Sequence, residues 1–182
     1  MGELIYQTMY VDPEHQPQVF DYIHTIETDG TERKFDFAKV IPEPAEFPIP
    51  PSTSIWAPPT CVDGGQTHWR YHNWGCCMNA WDAKYKTCVG PISPHYGQIG
   101  LQFVTKNGIP WQVFRKLSAV FPDATITVFY DFEAGYELDW AKEVVKGGYM
   151  VENIVKCGQP LDREELDRFP EDTVEELSMG DD

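Results

Sequence analysis

The sequence of 182 residues predicts a single α+β domain with an antiparallel sheet. Three observations predict it: segments of aromatic and β-branched residues typical of strands, two amphipathic helical segments between them, and a length that suits one core. In chain order the segments predict strand, helix, strand, strand, helix and strand, followed by a hairpin. This βαββαβ order is typical of the ferredoxin-like sandwich, in which both helices cover one face of the sheet.

The first strand and helix come from the N-terminal segment. LIYQTMYV, residues 4–11, is rich in aromatic and aliphatic residues and predicts a strand. Asp12-Pro13 predicts the start of a helix, because Asp can cap free backbone N–H groups and Pro is tolerated in the first turn. Val19 and Ile23 then recur at helical spacing.

Residues 35–60 are rich in proline, which excludes a long helix or a central strand there. We expect an extended insertion that runs over the surface. Five large apolar residues could pin it to the body: Phe35, Phe37, Ile41, Phe47 and Trp56.

The rest of the core follows from residue 63 onward. A short helix is predicted at 63–73, strands at 76–89 and 99–106, an amphipathic helix at 111–121, a strand at 124–132, and a hairpin from 136–140 and 146–156. This places the ferredoxin-like domain in residues 1–159.

An acidic tail, residues 160–182, forms the remainder of the chain. It carries ten acidic and two basic side chains, a net of −8 within a total of −15. Negative charge repels phosphate backbones, so direct nucleic-acid binding is disfavoured unless the fold creates a local basic patch. The charge suits a partner with a basic surface instead.

The chain contains no apolar run of membrane-spanning length and no secretory signal, so a cytoplasmic location is expected. Its five cysteines are an odd number, which makes a disulfide framework improbable. Reduced thiols are therefore predicted.

Two segments, FDFAKVIPEP at 35–44 and HWRYHNWGCCMNAWD at 68–82, resemble the YubB-type ferredoxin-like domain family of bacteriophages and conjugative plasmids. The resemblance covers about residues 3 to 150 and includes GIPWQVFRKLSAVFPDATITVFY at 108–130. Its matched positions are Phe35, Phe37, Ile41, Pro42, Trp69, Asn73, Trp74, Gly75, Asn79 and Ala80. The resemblance implies the fold and a mobile-element setting, and it implies no activity or cofactor.

This chain departs from the family at Cys76, Cys77 and Met78. Family members usually have a threonine, a lysine and a second tryptophan between the glycine and the asparagine. Any role that depends on that lysine or tryptophan is therefore not carried over.

The first candidate binding site is the segment that contains Trp69, Asn73, Trp74 and Gly75, with Asn79 beyond it. Tryptophan is favoured in binding hot spots, and glycine permits a tight turn or a close approach by another chain. The alternative, which general burial of aromatic residues favours, is that both rings plug the edge of the sheet.

A second candidate is a group of cysteines and histidines between residues 61 and 88. Structural zinc sites use four such ligands in paired knuckles, but the chain has no CxxC motif. A cysteine nucleophile beside His72 is another arrangement that the sequence permits. The group consists of Cys61, His68, His72, Cys76, Cys77 and Cys88.

The acidic tail is the third candidate. Tails of this composition are usually solvated ends, but their carboxylates can also imitate a phosphate ladder and occupy a nucleic-acid-binding groove. The residues singled out for this role are Glu164, Glu165, Asp167, Glu171 and Asp172.

Together these observations predict a non-catalytic interaction protein of a phage or plasmid that binds a host protein. An anti-defence protein or a nucleic-acid-mimicking inhibitor would be specific forms of it. No cofactor, metal, membrane or direct nucleic-acid partner is expected, and the oligomeric state is not predicted. The alternative is a small enzyme or zinc protein that uses the group at 61–88.

Overall fold

The computed structural model of this chain describes residues 4–45, 65–90, 93–132 and 140–156. Within them lie a six-stranded antiparallel sheet of strand order β4-β5-β1-β6-β7-β8 and a small β2-β3 ribbon. The elements are β1 (Leu4–Val11), α1 (Gln16–Ile23), β2 (Thr25–Ile26), β3 (Glu32–Arg33), α2 (Phe37–Val40), α3 (Gln66–Trp74), β4 (Trp81–Thr87), β5 (Ile99–Lys106), α4 (Trp111–Val120), β6 (Ile126–Phe132), β7 (Trp140–Lys146) and β8 (Tyr149–Lys156).

The predicted small ferredoxin-like sandwich with two helices is wrong. The described residues form six strands in one sheet and four helices, a larger and more β-rich α+β fold. The hairpin predicted to follow the βαββαβ core is β7-β8. It extends the main sheet, because β7 pairs with β6 along its length. Ala141 and Val145 of β7 are buried in the main core, so the hairpin contributes to that core.

The segment that begins the proline-rich stretch is also placed differently from the prediction. Residues 37–40 form a helical turn, α2, and Phe35 and Phe37 are only 1% and 0% exposed. Asp36 caps α2 by accepting a hydrogen bond from the N–H of Ala38. The burial of Phe35 and Phe37 agrees with their expected role of pinning this segment to the body, but residues 37–40 are helical and not extended. Phe47 and Trp56 lie outside the described residues.

Several local predictions are confirmed. The strands at 4–11, 99–106 and 126–132 are present, as is the amphipathic helix α4, whose Val113, Phe114 and Leu117 are buried. The strand expected over 76–89 begins only at Trp81. Among the described residues, no helix has the length and apolarity needed to cross a membrane.

The core lies between the helices and one face of the sheet. Ile5, Met9 and Val11 of β1 point into it, while Tyr6 and Tyr10 point to the opposite face. We call that opposite side the open face. Its central residue Tyr10 packs with Phe129 and Cys88 in a second, smaller cluster.

Candidate functional site

The predicted tryptophan-glycine segment lies where α3 ends beside α4. We call this region the α3–α4 corner and define it as residues 69–75 and 109–115. Gly75 terminates α3 in the left-handed conformation with φ of 96°, and its N–H donates to the carbonyls of Arg70 and Tyr71. A Cβ on Gly75 would lie 2.3 Å from the carbonyl oxygen of Ile109, so only glycine fits this approach.

Trp74 is buried completely within the corner. Its indole N–H donates to the carbonyl of Ile41 at 2.9 Å, and Phe37 packs edge-on against its ring. The Arg70 guanidinium lies 5.1 Å from the ring centroid, and the partly buried Trp69 packs at 5.9 Å. Trp74 therefore has no exposed surface to offer a partner, and its contacts match the core-plugging alternative.

The two asparagines of the predicted site also make internal hydrogen bonds. Asn73 donates to the carbonyl of Trp69 at 2.9 Å. The Asn79 amide oxygen accepts from the N–H groups of Phe37 and Ala80, and its amide nitrogen donates to Asp36. Asn79 therefore links the start of β4 to α2, which makes it a structural connector.

The exposed side of the corner consists of residues that the sequence reasoning did not select. Tyr71 is 50% and Trp111 is 40% exposed, and the Arg115 guanidinium lies 5.7 Å from the Trp111 ring centroid. The signal was available in α4, where Trp111 falls outside the buried stripe of Val113 and Phe114.

The cysteine and histidine group does not come together as one site. The described members Cys76, Cys77 and Cys88 are free and buried, and Cys61 lies outside the described residues. No cluster of three or more metal-ligating side chains occurs in the described ranges. His68 and His72 are exposed on α3, where their Nε2 atoms are 3.1 Å apart.

The chemistry of Cys76 opposes a nucleophilic role. Burial raises the pKa of its thiol, and the thiol donates to the carbonyl of Met78 at 3.2 Å. A nucleophilic cysteine requires the opposite, a thiolate stabilised by a neighbouring base or positive charge. Cys76 therefore acts as a buried apolar residue.

A further group of aromatic and titratable residues lies on the open face. The His95 ring stacks on Tyr10 with ring centroids 4.3 Å apart and an angle of 7°, and Phe129 packs edge-on against both rings. His95 also contacts Gln98, with Nδ1 and Oε1 3.0 Å apart. These contacts hold the loop between β4 and β5 against the sheet. Sequence reasoning missed them because they join residues far apart in the chain.

The acidic residues proposed for mimicry, Glu164 to Asp172, lie outside the described residues. The described residues themselves carry thirteen acidic and twelve basic side chains, a net of −1. Most of the negative charge of the chain is therefore carried by residues outside the described ranges.

No family model matches the chain, and no curated protein matches it significantly. A solved structure that it resembles is protein api92 from Yersinia pseudotuberculosis, described by the family model DUF1281. The identity is 17% and the TM-score 0.38, over 56% of this chain and 33% of that chain. The match thus spans one third of api92, and a likeness of this size supports no inference about the present chain.

Proposed function

We propose that this chain is a non-catalytic interaction protein of a mobile genetic element, and that it binds a protein of its bacterial host. The contact surface consists of the exposed side of the α3–α4 corner together with the acidic residues 160–182. The observation that carries the proposal is the exposure of Tyr71, Trp111 and Arg115 on a corner in which Trp74 is completely buried. The resemblance to the YubB-type family supports the mobile-element setting.

The residue types at the exposed corner suit protein recognition. Tryptophan, tyrosine and arginine are enriched in binding hot spots, and the two aromatic residues bury a large area at little cost in side-chain entropy. A hydrogen bond also links the two helices of the corner, because Gln112 of α4 donates to the carbonyl of His72 in α3. A preorganised surface loses less entropy when a partner binds.

The charge distribution supports a basic partner. Residues 160–182 carry a net charge of −8, whereas the described residues carry a net charge of −1. The carboxylates that would attract a positively charged partner are therefore concentrated at the C-terminal end of the sequence. Such local fields accelerate association and weaken as salt increases. An inhibitor of a nucleic-acid-binding host protein, including an anti-defence protein, would have this property.

The buried thiols favour binding over catalysis. Cys76, Cys77 and Cys88 are at most 2% exposed, so a substrate would not reach them without opening the fold. The raised pKa of Cys76 also keeps that thiol protonated at neutral pH.

The proposal is tested by capturing partners from a host lysate with four chains: wild type, Trp111→Ala, a chain ending at residue 159, and the control Tyr96→Ala. Tyr96 is a 63% exposed aromatic residue in the loop between β4 and β5, outside the α3–α4 corner, so it is a matched control for Trp111. We expect wild type and the control to capture the same protein, and the other two to capture at least about tenfold less.

The captured protein is then purified and titrated with each chain at low and high salt. Affinity that falls with salt for wild type, and less steeply for the chain ending at 159, supports the role of the acidic residues. Equal capture by all four chains, or no specific capture, contradicts the proposal.

A further inference from the structure

His68 and His72 form an exposed pair of imidazoles with the spacing of a chelating site. The buried cysteines take no part in this pair. The two residues are four positions apart on α3, so both imidazoles lie on the same face of the helix. Their ring centroids are 4.3 Å apart, and their Nε2 atoms face each other at 3.1 Å.

That spacing matches the requirement of a metal ion. Imidazole nitrogens bind Zn²⁺ at about 2.0–2.1 Å, so two ligands at tetrahedral to right angles are separated by about 2.9–3.4 Å. The observed 3.1 Å lies within this interval. Without an ion, one neutral ring can donate its N–H to the other at this same separation. Binding an ion requires both Nε2 lone pairs to turn away from the line between the two nitrogens and toward the ion.

The helix that carries the pair is held in place on its other side. Trp74 is buried and bonded to Ile41, and Arg70 forms an ion pair with Glu43 at 2.5 Å. Gln112 also fixes the carbonyl of His72. The two imidazoles therefore start from a helix that needs no rearrangement to bind an ion, which favours affinity.

We propose that His68 and His72 form a bidentate surface site for a divalent transition-metal ion of the Zn²⁺, Ni²⁺ and Cu²⁺ class. Imidazole ligands select these ions over Mg²⁺ and Ca²⁺, which require oxygen ligands. Two histidines fill two coordination positions, and the others remain open to water or to a donor atom of another molecule. The site adjoins the proposed partner surface, since the His72 ring packs edge-on against Tyr71, but ion binding itself requires no partner.

Protein purified without a histidine tag is titrated calorimetrically with Zn²⁺ and Ni²⁺ alone. The variants are His68→Gln and His72→Gln, and the control is His24→Gln, whose histidine pairs with Glu32 instead. We expect one ion per chain in wild type and control, with affinity at least about tenfold weaker in each variant. Circular dichroism of each variant confirms that α3 is retained.

A second measurement does not depend on variants. Cu²⁺ bound to wild type should show an electron paramagnetic resonance spectrum with two nitrogen ligands, and the thermal midpoint should rise with ion concentration. Absence of binding, binding that survives both replacements, or a copper spectrum without two nitrogens overturns the proposal.

Discussion

Two glycines at the α3–α4 corner allow a close contact between two segments of backbone. Gly75 has a φ of 96° and Gly108 a φ of 151°, and a Cβ on Gly108 would lie 2.1 Å from the carbonyl oxygen of Gly75. The two glycines let the end of α3 and the turn before α4 touch backbone to backbone. Trp74, next to Gly75, is completely buried and has no surface with which to contact a partner.

Replacement of Gly75 by alanine should therefore destabilise the protein strongly. We expect a loss of about 2–4 kcal/mol in the free energy of unfolding, from left-handed strain and from the clash with the carbonyl of Ile109. Urea denaturation measures it. Gly30→Ala is the control, because Gly30 also has a positive φ of 86° but nothing lies within 4 Å of its Cβ position. Equal losses for the two variants would contradict the packing argument.

His95 should make stability depend on pH. Burial lowers the pKa of His95, and the hydrogen bond with Gln98 offsets part of this effect by raising the pKa. The nearby positive charge of Lys142 lowers the pKa further, so the net shift is downward. The unfolded chain then binds more protons than the folded chain as pH falls below about 6.5, so stability is lost on acidification. Urea midpoints between pH 8 and pH 5 should fall less in His95→Phe, which keeps the stacking on Tyr10.

The comparison must be made between chains because another histidine acts in the opposite direction. The hydrogen bond that the His15 ring donates to the Asp12 carboxylate raises the pKa of His15, so that contribution to stability is present at low pH and is lost as pH rises. Wild type and His95→Phe share this contribution, and it cancels in their difference. An identical pH dependence in the two chains would show that His95 does not titrate against folding.

Two side chains of α4, Ser118 and Arg115, form hydrogen bonds to the turn of the β7-β8 hairpin. The Ser118 hydroxyl accepts from the N–H of Gly148 at 3.0 Å and donates to the carbonyl of Arg115, and its side chain is completely buried. The Arg115 side chain returns a hydrogen bond to the carbonyl of Gly148 at 3.3 Å. The hairpin turn is thus fastened to the helix as well as to the sheet.

Ser118→Ala should destabilise the protein by about 0.5–1.5 kcal/mol, because the partly buried N–H of Gly148 loses its hydrogen bond to the Ser118 hydroxyl. Hydrogen exchange at the β7-β8 turn should accelerate more than exchange in β1. Ser93→Ala is a useful control, since the Ser93 hydroxyl contacts the N–H of His95 in a loop away from α4. Uniform acceleration across the sheet would argue against a local fastening.

At the scale of the whole molecule, the hairpin is part of the main core. Ala141 and Val145 are buried, and Glu143 of β7 accepts a hydrogen bond from Tyr130 of β6. Without β7 and β8, the buried faces of α4 and β6 would meet water. A chain ending at residue 132 should therefore lose cooperative unfolding, whereas a chain ending at 159 should keep it.

Thermal unfolding followed by circular dichroism distinguishes these outcomes. A sharp transition in the chain ending at 132 would mean that the four strands of the main sheet that precede β7 are stable without the hairpin. Loss of the transition in the chain ending at 159 would assign a stabilising role to residues 160–182.

Local patterns predicted much of the secondary structure of this protein. Alternating apolar residues identified β5, and the apolar stripe of Val113, Phe114 and Leu117 identified α4. The short helix predicted at 63–73 is present as α3, Gln66–Trp74. These features depend on neighbours in sequence, so periodicity and turn chemistry were sufficient to locate them.

The tertiary structure alone decided the size of the sheet and the composition of the candidate surface. Whether a hairpin stands apart or extends a sheet depends on long-range pairing such as Tyr130 with Ala141, which no local pattern encodes. Of the segment selected as a candidate binding site, Trp74 is buried against α2, whereas the exposed aromatic residues of the α3–α4 corner are Tyr71 and Trp111. Exposure is a property of packing between distant segments, whereas periodicity is a property of one segment.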